Sequence, residues 1–344
     1  MTASRPTARD ARPSFSADSA ASALATRKAL GVVIVAHDRS DLALRCAAAV
    51  GREVDRDSIV IVVNKPAAIH RPELEALQAG TEMVVLNPRP RGYGANLNAG
   101  ARRLGDGYDY YLFLNDDAVP TQGSITALVS FLEANPRAGI VGPRVVGPDG
   151  RALWAAFGFP TVASEVAGAL ILPARLRLAL RERFILPWEA ASQSAVGWVL
   201  GAAFALRAAA FNAVGGFDES FFLYSEETDL AYRMRSRGWT SHVCPDALVT
   251  HLGGASTGEV SQRLLGLSRS RYIHKHWSRS RRTLLGSLLA AAYLWNTAYV
   301  ALRVLVAPHT FRAKTQLWRA YWNARPTGGG SLSRNVRNKK DEES

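Results

Sequence analysis

The chain has 344 residues, 48% hydrophobic and 21% charged, and a formal net charge of +13. That length and apolar content can bury a large core in one large or two smaller domains. Its two cysteines, Cys46 and Cys244, are too few and too far apart for a disulfide framework or a zinc site, and they fit a reducing compartment. Residues 1–28 carry Ala, Ser, Thr, Arg and Pro with no long apolar core, so they read as a disordered tail rather than a signal peptide.

From Leu30 onward strands and helices alternate. Leu30–Ala36 is a continuous apolar run, as in a parallel strand covered on both faces. A helix over Asp41–Val50 follows, then strands at Ile59–Val63 and Met83–Leu86. The Pro- and Gly-rich loop Asn87–Asn96 leads into a helix near Leu97–Leu104. Tyr110–Leu114 is a fourth strand, Gly123–Ala134 a helix and Ile140–Val146 another extended piece. This rhythm predicts a doubly wound α/β sheet. Residues 151–195, punctuated by Pro160, Pro173 and Pro187, break the rhythm and read as an insertion near the ligand side. Beyond them, Gly201–Phe211 reads as a strand running into a helix, Glu226–Arg237 as a helix and Ser241–Val249 as a strand.

Two clusters carry chemistry. The strand Tyr110–Leu114 stops at Asn115-Asp116-Asp117. Carboxylates at the carboxyl end of a central strand lie where open α/β sheets bind ligands. Adjacent carboxylates repel unless a cation sits between them, and a hard divalent ion that also takes substrate phosphates fits. The plain alternative is that Asn115 and Asp116 cap the next helix. In the second cluster, Gly215 to Leu230, an aromatic run precedes Glu226-Glu227-Thr228-Asp229. Glu226 and Asp229 share a helix face. The helix dipole alone could favour acids there, yet a general base held at this point could take a proton from an attacking hydroxyl. His251, just past a strand, could complete a metal site or serve structure alone.

The order Asn-Asp-Asp, then Gly-Gly-Phe-Asp-Glu-Ser-Phe-Phe-Leu-Tyr-Ser-Glu-Glu-Thr-Asp-Leu, Arg-Gly-Trp and His-Leu-Gly-Gly-Ala-Ser resembles the inverting family 2 glycosyltransferases. Within them it is similar to the bacterial rhamnosyltransferases of cell-wall and O-antigen assembly, over about residues 30–280. The resemblance implies a GT-A-type fold with a single Rossmann-like mixed sheet flanked by helices, a nucleotide-diphosphate sugar (dTDP-rhamnose) as donor, and Mg2+ or Mn2+. It implies Asp117 and His251 as metal ligands, and Glu227, Asp229 and Glu226 as the catalytic carboxylates. Glu227 stands where the family usually has the Asp that acts as base, so the base is Glu227 or Asp229. Gly92, Gly94 and Asn98 match the loop before the metal strand, and Asn115 and Asp116 line the nucleotide-sugar side. Trp198 and Gly201, in a segment that also looks like that branch, are expected on the acceptor side. One departure stands out: Val63 occupies the place of an Asp that contacts the base, which leaves recognition to Asn64, Asp38 or His37.

The basic excess is local. No acid lies between Glu259 and Asp341, a stretch with sixteen Lys and Arg residues. Inside it Thr283–Leu302 is uncharged and about 30 Å long as a helix, the thickness of a bilayer core, with cations on both flanks. Trp295, Tyr299, Trp318, Tyr321 and Trp322 suit an interfacial belt. The expected layout is a tail over 1–28, a transferase domain over 29–280, a membrane-associating helical region over 281–325 and a tail over 326–344. The expected partners are a polyprenyl-linked glycan acceptor and an anionic membrane surface at the cytoplasmic face of the plasma membrane, with peripheral or monotopic attachment. Nucleic acid is not expected, because a basic tail for it explains neither the carboxylate clusters nor the apolar run. A catalytically altered membrane-bound scaffold is the other reading, prompted by Val63 and Glu227, and a buried core helix is the alternative for Thr283–Leu302.

Overall fold

The computed structural model describes residues 30–37, 39–65, 83–172, 194–252 and 259–306, with 72, 75, 76, 79, 176 and 185–186. The expectations for Asp38, for both tails, for Gly253–Ser256 and for Trp318, Tyr321 and Trp322 lie outside the described residues.

A single eight-stranded sheet forms the centre. Its strands are β1 (Leu30–Ala36), β2 (Ile59–Val63), β3 (Met83–Leu86), β4 (Tyr110–Asn115), β5 (Ala118–Pro120), β6 (Ala138–Val146), β10 (Ala203–Arg207) and β11 (Thr240–His251), in the order β3-β2-β1-β4-β10-β6-β11-β5. The half β3-β2-β1-β4 is parallel. Strand β10 then enters antiparallel between β4 and β6, β11 runs parallel to β6, and β5 closes the edge antiparallel. The sheet is thus mixed, as the resemblance implied.

The run Val32–Ala36 is buried because its alternate side chains feed two cores. Val32, Ile34 and Ala36 face one, with Ala43, Cys46 and Val50 of helix α1 (Ser40–Val50) and Ile125, Leu128 and Leu132 of α3 (Ser124–Ala134). Val33 and Val35 face the other, with Leu97 and Ala101 of α2 (Tyr93–Leu104), Phe211 of α5 (Ala208–Ala213) and Leu230 and Met234 of α6 (Glu226–Arg235). Edge-on aromatic contacts knit this second core: Phe113 meets Phe204 and Phe211 at 5.6 Å each.

The segment that breaks the rhythm builds a small second sheet from β7 (Ala156–Phe157), β8 (Ile185–Leu186) and β9 (Trp198–Val199), in the order β8-β7-β9, and the helix α4 (Val162–Ala169). A capping box between Thr161 and Ser164 starts α4. Two helices end the described chain, α7 (Glu259–His276) and α8 (Arg279–Val306). They form a third core of Phe221, Tyr272, Ile273, Trp277 and Leu285, against Val162 and Val166 of α4.

Several boundaries differ from the sequence reading. Helix α2 starts at Tyr93 rather than Leu97, and α6 stops at Arg235 rather than Arg237. Strand β5 was not expected, since three residues are too few to show a period. Helix α8 takes in the whole uncharged run plus flanking arginines at both ends.

Candidate active site

Three chain segments meet at the carboxyl ends of β1, β2 and β4. The first is the end of β4. Asp116 accepts from the backbone N–H of His37 at 3.3 Å, and its own N–H donates to the Val35 carbonyl at 3.2 Å, so the acidic turn is anchored on β1. Asn115 donates its N–H to the Ala202 carbonyl at 2.9 Å. Asp117 faces His251, with Oδ1 3.2 Å from Nε2, and both side chains are partly open to solvent. The pairing of His251 with Ala118 across β11 and β5 sets this meeting. The two expected metal ligands are therefore brought together. Among the described residues no group of three or more His, Cys, Asp or Glu is placed to hold a metal. One carboxylate and one imidazole suit an ion that keeps water and takes phosphate oxygens for its remaining positions, so this pair fits Mg2+ or Mn2+ shared with a diphosphate.

The second segment is a network of amides behind this turn. Asn64, Asn87 and Asn96 are buried. Asn64 accepts from the Arg91 N–H at 2.8 Å and donates to the Arg91 carbonyl at 3.0 Å. Asn87 donates to Asn64 at 3.3 Å and also to Asn96. The His37 ring lies 3.5 Å from the Asn64 amide. Val63 is fully buried and paired with Ala36 and Leu86, so it offers no polar atom to a base. His37 is the exposed member of this corner.

The third segment is Gly215–Asp229. Gly92 and Gly94 are required by its close approach: a Cβ on Gly92 would lie 2.6 Å from the Phe221 carbonyl oxygen, and one on Gly94 2.8 Å from the Phe217 Cβ. The Asn98 amide accepts from the Phe217 N–H at 2.9 Å and donates to the Phe217 carbonyl at 2.9 Å and to Glu219 at 3.1 Å. These three residues thus hold the loop to α2. Tyr224 and Ser225 then take the left-handed conformation, at φ of 71° and 64°, immediately before α6. Two consecutive non-glycine residues there cost on the order of 1 kcal/mol each and aim the start of α6 inward.

The acids of α6 have different surroundings. Asp229 is fully buried with both oxygens engaged. Arg233 donates to Oδ2 at 2.7 Å, while Lys275 and His276 each lie 2.7 Å from Oδ1. Burial alone would raise its pKa, but His276, Lys275 and Arg233 together lower it. Glu226 and Glu227 each have one buried oxygen with no hydrogen-bond partner. Burial, and then the neighbouring Glu227 charge, hold Glu226 well above its ordinary value. Burial pushes Glu227 up to about 7, against smaller lowering by its own backbone N–H and by Arg269. Glu227 lies under Gly201: a Cβ there would be 3.2 Å from Glu227 Oε1 and 3.7 Å from the Tyr93 ring. Tyr93 donates its hydroxyl to the Gly201 carbonyl at 2.8 Å. Its phenol is raised by burial and by the charges of Glu226, Glu227, Asp117 and Asp116, so both acidic clusters act on one tyrosine.

The sequence reading missed Tyr93, Lys275, His276, Arg269 and Glu165. Arg269 of α7 pairs with the buried Glu165 of α4 at 3.2 Å. These residues fall outside the acidic motifs, and only the acid-free cationic stretch gave a signal for the α7 cations. Trp198, expected on the acceptor side, stacks on Phe157 at 4.2 Å and donates to the Gly158 carbonyl at 3.1 Å, leaving the indole half open.

A family model described as "Glycosyltransferase like family 2" matches residues 27–266. The chain is a family 2 glycosyltransferase. It is 32% identical over 250 residues to the N-acetylglucosaminyl-diphospho-decaprenol L-rhamnosyltransferase of Mycobacterium tuberculosis, covering 66% of this chain and 78% of that protein. It is 21% identical over 227 residues to the rhamnosyltransferase WbbL of Escherichia coli, covering 62% of this chain and 80% of that one. The fold is shared with the mannosyltransferase PcManGT of Pyrobaculum calidifontis, solved with GDP-Man and Mn2+, at a TM-score of 0.55 and 15% identity over 92% of this chain and 89% of that one. The glycosyltransferase is thus similar to rhamnosyltransferases in sequence and GT-A-like in fold.

Proposed function

We propose that this glycosyltransferase moves rhamnose from a nucleotide diphosphate, dTDP being the expected carrier, to a hydroxyl of a polyprenyl-diphosphate-linked glycan, with inversion. The observation that carries the reading is the meeting of the two acidic clusters around Tyr93 and Gly201. The names of the mycobacterial and E. coli relatives support the sugar, and that of the former the acceptor class. We place the enzyme at the cytoplasmic face of the plasma membrane, where its basic C-terminal helices suit an anionic leaflet.

Glu227 is the base in this reading. Its Oε1 lies at the Gly201 edge and its buried Oε2 has no hydrogen-bond partner, and an affinity for protons near neutrality suits a group that must take one at working pH. Asp229 is the anchor that holds α7 to α6, since Arg233, Lys275 and His276 occupy its oxygens. Glu226 stays protonated beside Glu227, so that only one of the adjacent pair carries charge. A divalent ion held by Asp117 and His251 would neutralise the leaving diphosphate. As the acceptor oxygen bonds to the anomeric carbon, the bond to the diphosphate breaks on the opposite face, and the hydroxyl proton passes to Glu227. Trp198 offers a flat apolar surface for an acceptor sugar, and His37 and Asn64 stand at the base corner.

The test is a transfer assay with N-acetylglucosaminyl-diphospho-polyprenol and a panel of nucleotide sugars, with and without Mn2+. The expected result is metal-dependent transfer from dTDP-rhamnose with an inverted linkage. Transfer only from another nucleotide sugar, or transfer undiminished by chelation, contradicts the corresponding part of the reading.

A further inference from the structure

Helix α8 is long and apolar enough to cross a membrane by length and composition, yet one of its flanks belongs to the transferase domain along most of that length. Near its start Arg281 lies over the Trp277 ring, 3.8 Å from the centroid, and reaches the Pro160 carbonyl at 3.4 Å. Leu285 and Ala292 are buried, with Leu289 packed against the same core. Further along, Asn296 is 1% exposed and makes a two-bond clasp. It donates to the Ala169 carbonyl and accepts from the Ile171 N–H, both at 2.8 Å. Helix α4 therefore runs beside α8 from Pro160 to Ile171. It also carries the buried Glu165, paired with Arg269 of α7.

From Arg279 to Asn296 the helix rises about 26 Å, most of the ~30 Å hydrocarbon thickness of a bilayer. If α8 crossed the bilayer from its cationic end, Asn296 would lie near the far side. Helix α4, its Glu165–Arg269 pair and the peptide groups around Ala169 would be drawn into hydrocarbon with it. Charged groups and open backbone there cost several kcal/mol each. The rest of this apolar stretch is bare. Leu284, 53% exposed, Leu288 and Trp295, 53% exposed, form one stripe beside the bound flank, and Leu294, 68% exposed, faces away from that flank. Arg279, Arg281 and Arg282 precede this strip and Arg303 follows it.

We propose that α8 lies in the plane of an anionic phospholipid surface, its Leu284–Leu288–Trp295 flank inserted to shallow depth and its Leu285–Ala292–Asn296 flank bound to the transferase domain, rather than crossing the bilayer. An apolar face with flanking cations is the pattern of interfacial helices. The occupant is lipid rather than a protein groove because the flanks carry only positive charge, with no acid between Glu259 and Asp341 to offer a partner of mixed charge. The inference rests on the membrane reading above and adds the orientation.

The experiment uses the full chain in native membranes with a single cysteine introduced beyond α8, Ser331→Cys, and labelling by a membrane-impermeant maleimide in right-side-out and inside-out vesicles. The native Cys46 and Cys244 are buried and give a low background in folded protein. A second variant, Leu294→Cys bearing a fluorophore, reads depth by quenching from shallow and deep spin-labelled lipids. The proposal expects membrane-bound protein, Ser331→Cys labelled only from the face that carries the transferase domain, and stronger quenching at Leu294→Cys by the shallow probe. Labelling of Ser331→Cys only from the opposite face, with the protein still membrane-bound, overturns the in-plane orientation and leaves the membrane reading standing. Failure to sediment with anionic vesicles at low salt overturns both.

Discussion

Glu227 and Asp229 lie on one turn of one helix and have opposite surroundings, which decides their roles in the proposed chemistry. Arg233, Lys275 and His276 hold Asp229, so Asp229→Asn should leave them without their shared anion. Breaking a buried ion pair of this kind costs about 3 kcal/mol, to be read as a fall of several degrees in the unfolding midpoint. In the proposed chemistry Glu227 instead gates activity through its proton. Because its affinity is raised to about 7, the rate should climb as pH rises through neutrality and level off above it. Arg269 lowers that affinity, so Arg269→Gln should move the rising limb to higher pH, with activity lost at pH 7 partly restored near pH 8.5. An unmoved profile would remove Arg269 from this role. Glu226 has the opposite linkage to a paired acid. Its proton is held above the ordinary 4.5 in the folded state, so the unfolded chain releases it first and stability falls as pH rises past that value. Glu226→Gln should therefore raise the unfolding midpoint, by more at pH 8 than at pH 4.

At the scale of elements, what was legible depended on the pattern each element needs. Parallel strands buried on both faces gave unbroken apolar runs, and β1 and β2 fell where Leu30–Ala36 and Ile59–Val63 were expected, as did the half-buried edge strand β3 at Met83–Leu86. The turn carrying Asp117 and its meeting with His251 followed from strand ends and from the resemblance. The anchoring of Asp229 was not legible, because His276 lies 47 residues away on a helix whose side of the site no local spacing reports. Asp229 and Glu226 share a face by spacing, and spacing alone does not distinguish an anchored acid from a free one. Likewise the resemblance matched Asn98 and Gly94 to the loop before the metal strand, whereas they lie in α2 and their contacts hold Phe217 and Glu219. Gly201 illustrates an element boundary set by space: Gly201→Val should press on Glu227 and Tyr93 and reduce the turnover rate at least tenfold, with little loss of donor binding. For α8, Leu288→Glu with Leu294→Glu should abolish sedimentation with anionic vesicles and slow transfer to a lipid-linked acceptor. Transfer to a short soluble analogue should stay within twofold. Sedimentation unchanged by both charges would exclude the exposed side of α8 from lipid.

The whole molecule combines a mixed sheet, a second small sheet with α4, and the α7–α8 pair, and one of the ties between them lies at the site itself. Lys275 and His276 join α7 to the acid of α6, and α8 begins only at Arg279. The helix proposed to lie on the membrane thus follows directly from a helix that braces the site, and a lipid-linked acceptor would reach the pocket without leaving the surface. The central claim is that Glu227 takes the acceptor proton in a pocket whose opposite side binds the donor diphosphate. Its most direct measurement is the turnover rate of Glu227→Gln at saturating dTDP-rhamnose, Mn2+ and acceptor, alongside donor affinity by titration. The expected rate is lower by about 10²-fold or more, with donor affinity within twofold of the unaltered enzyme. A rate within threefold of the unaltered enzyme would contradict it.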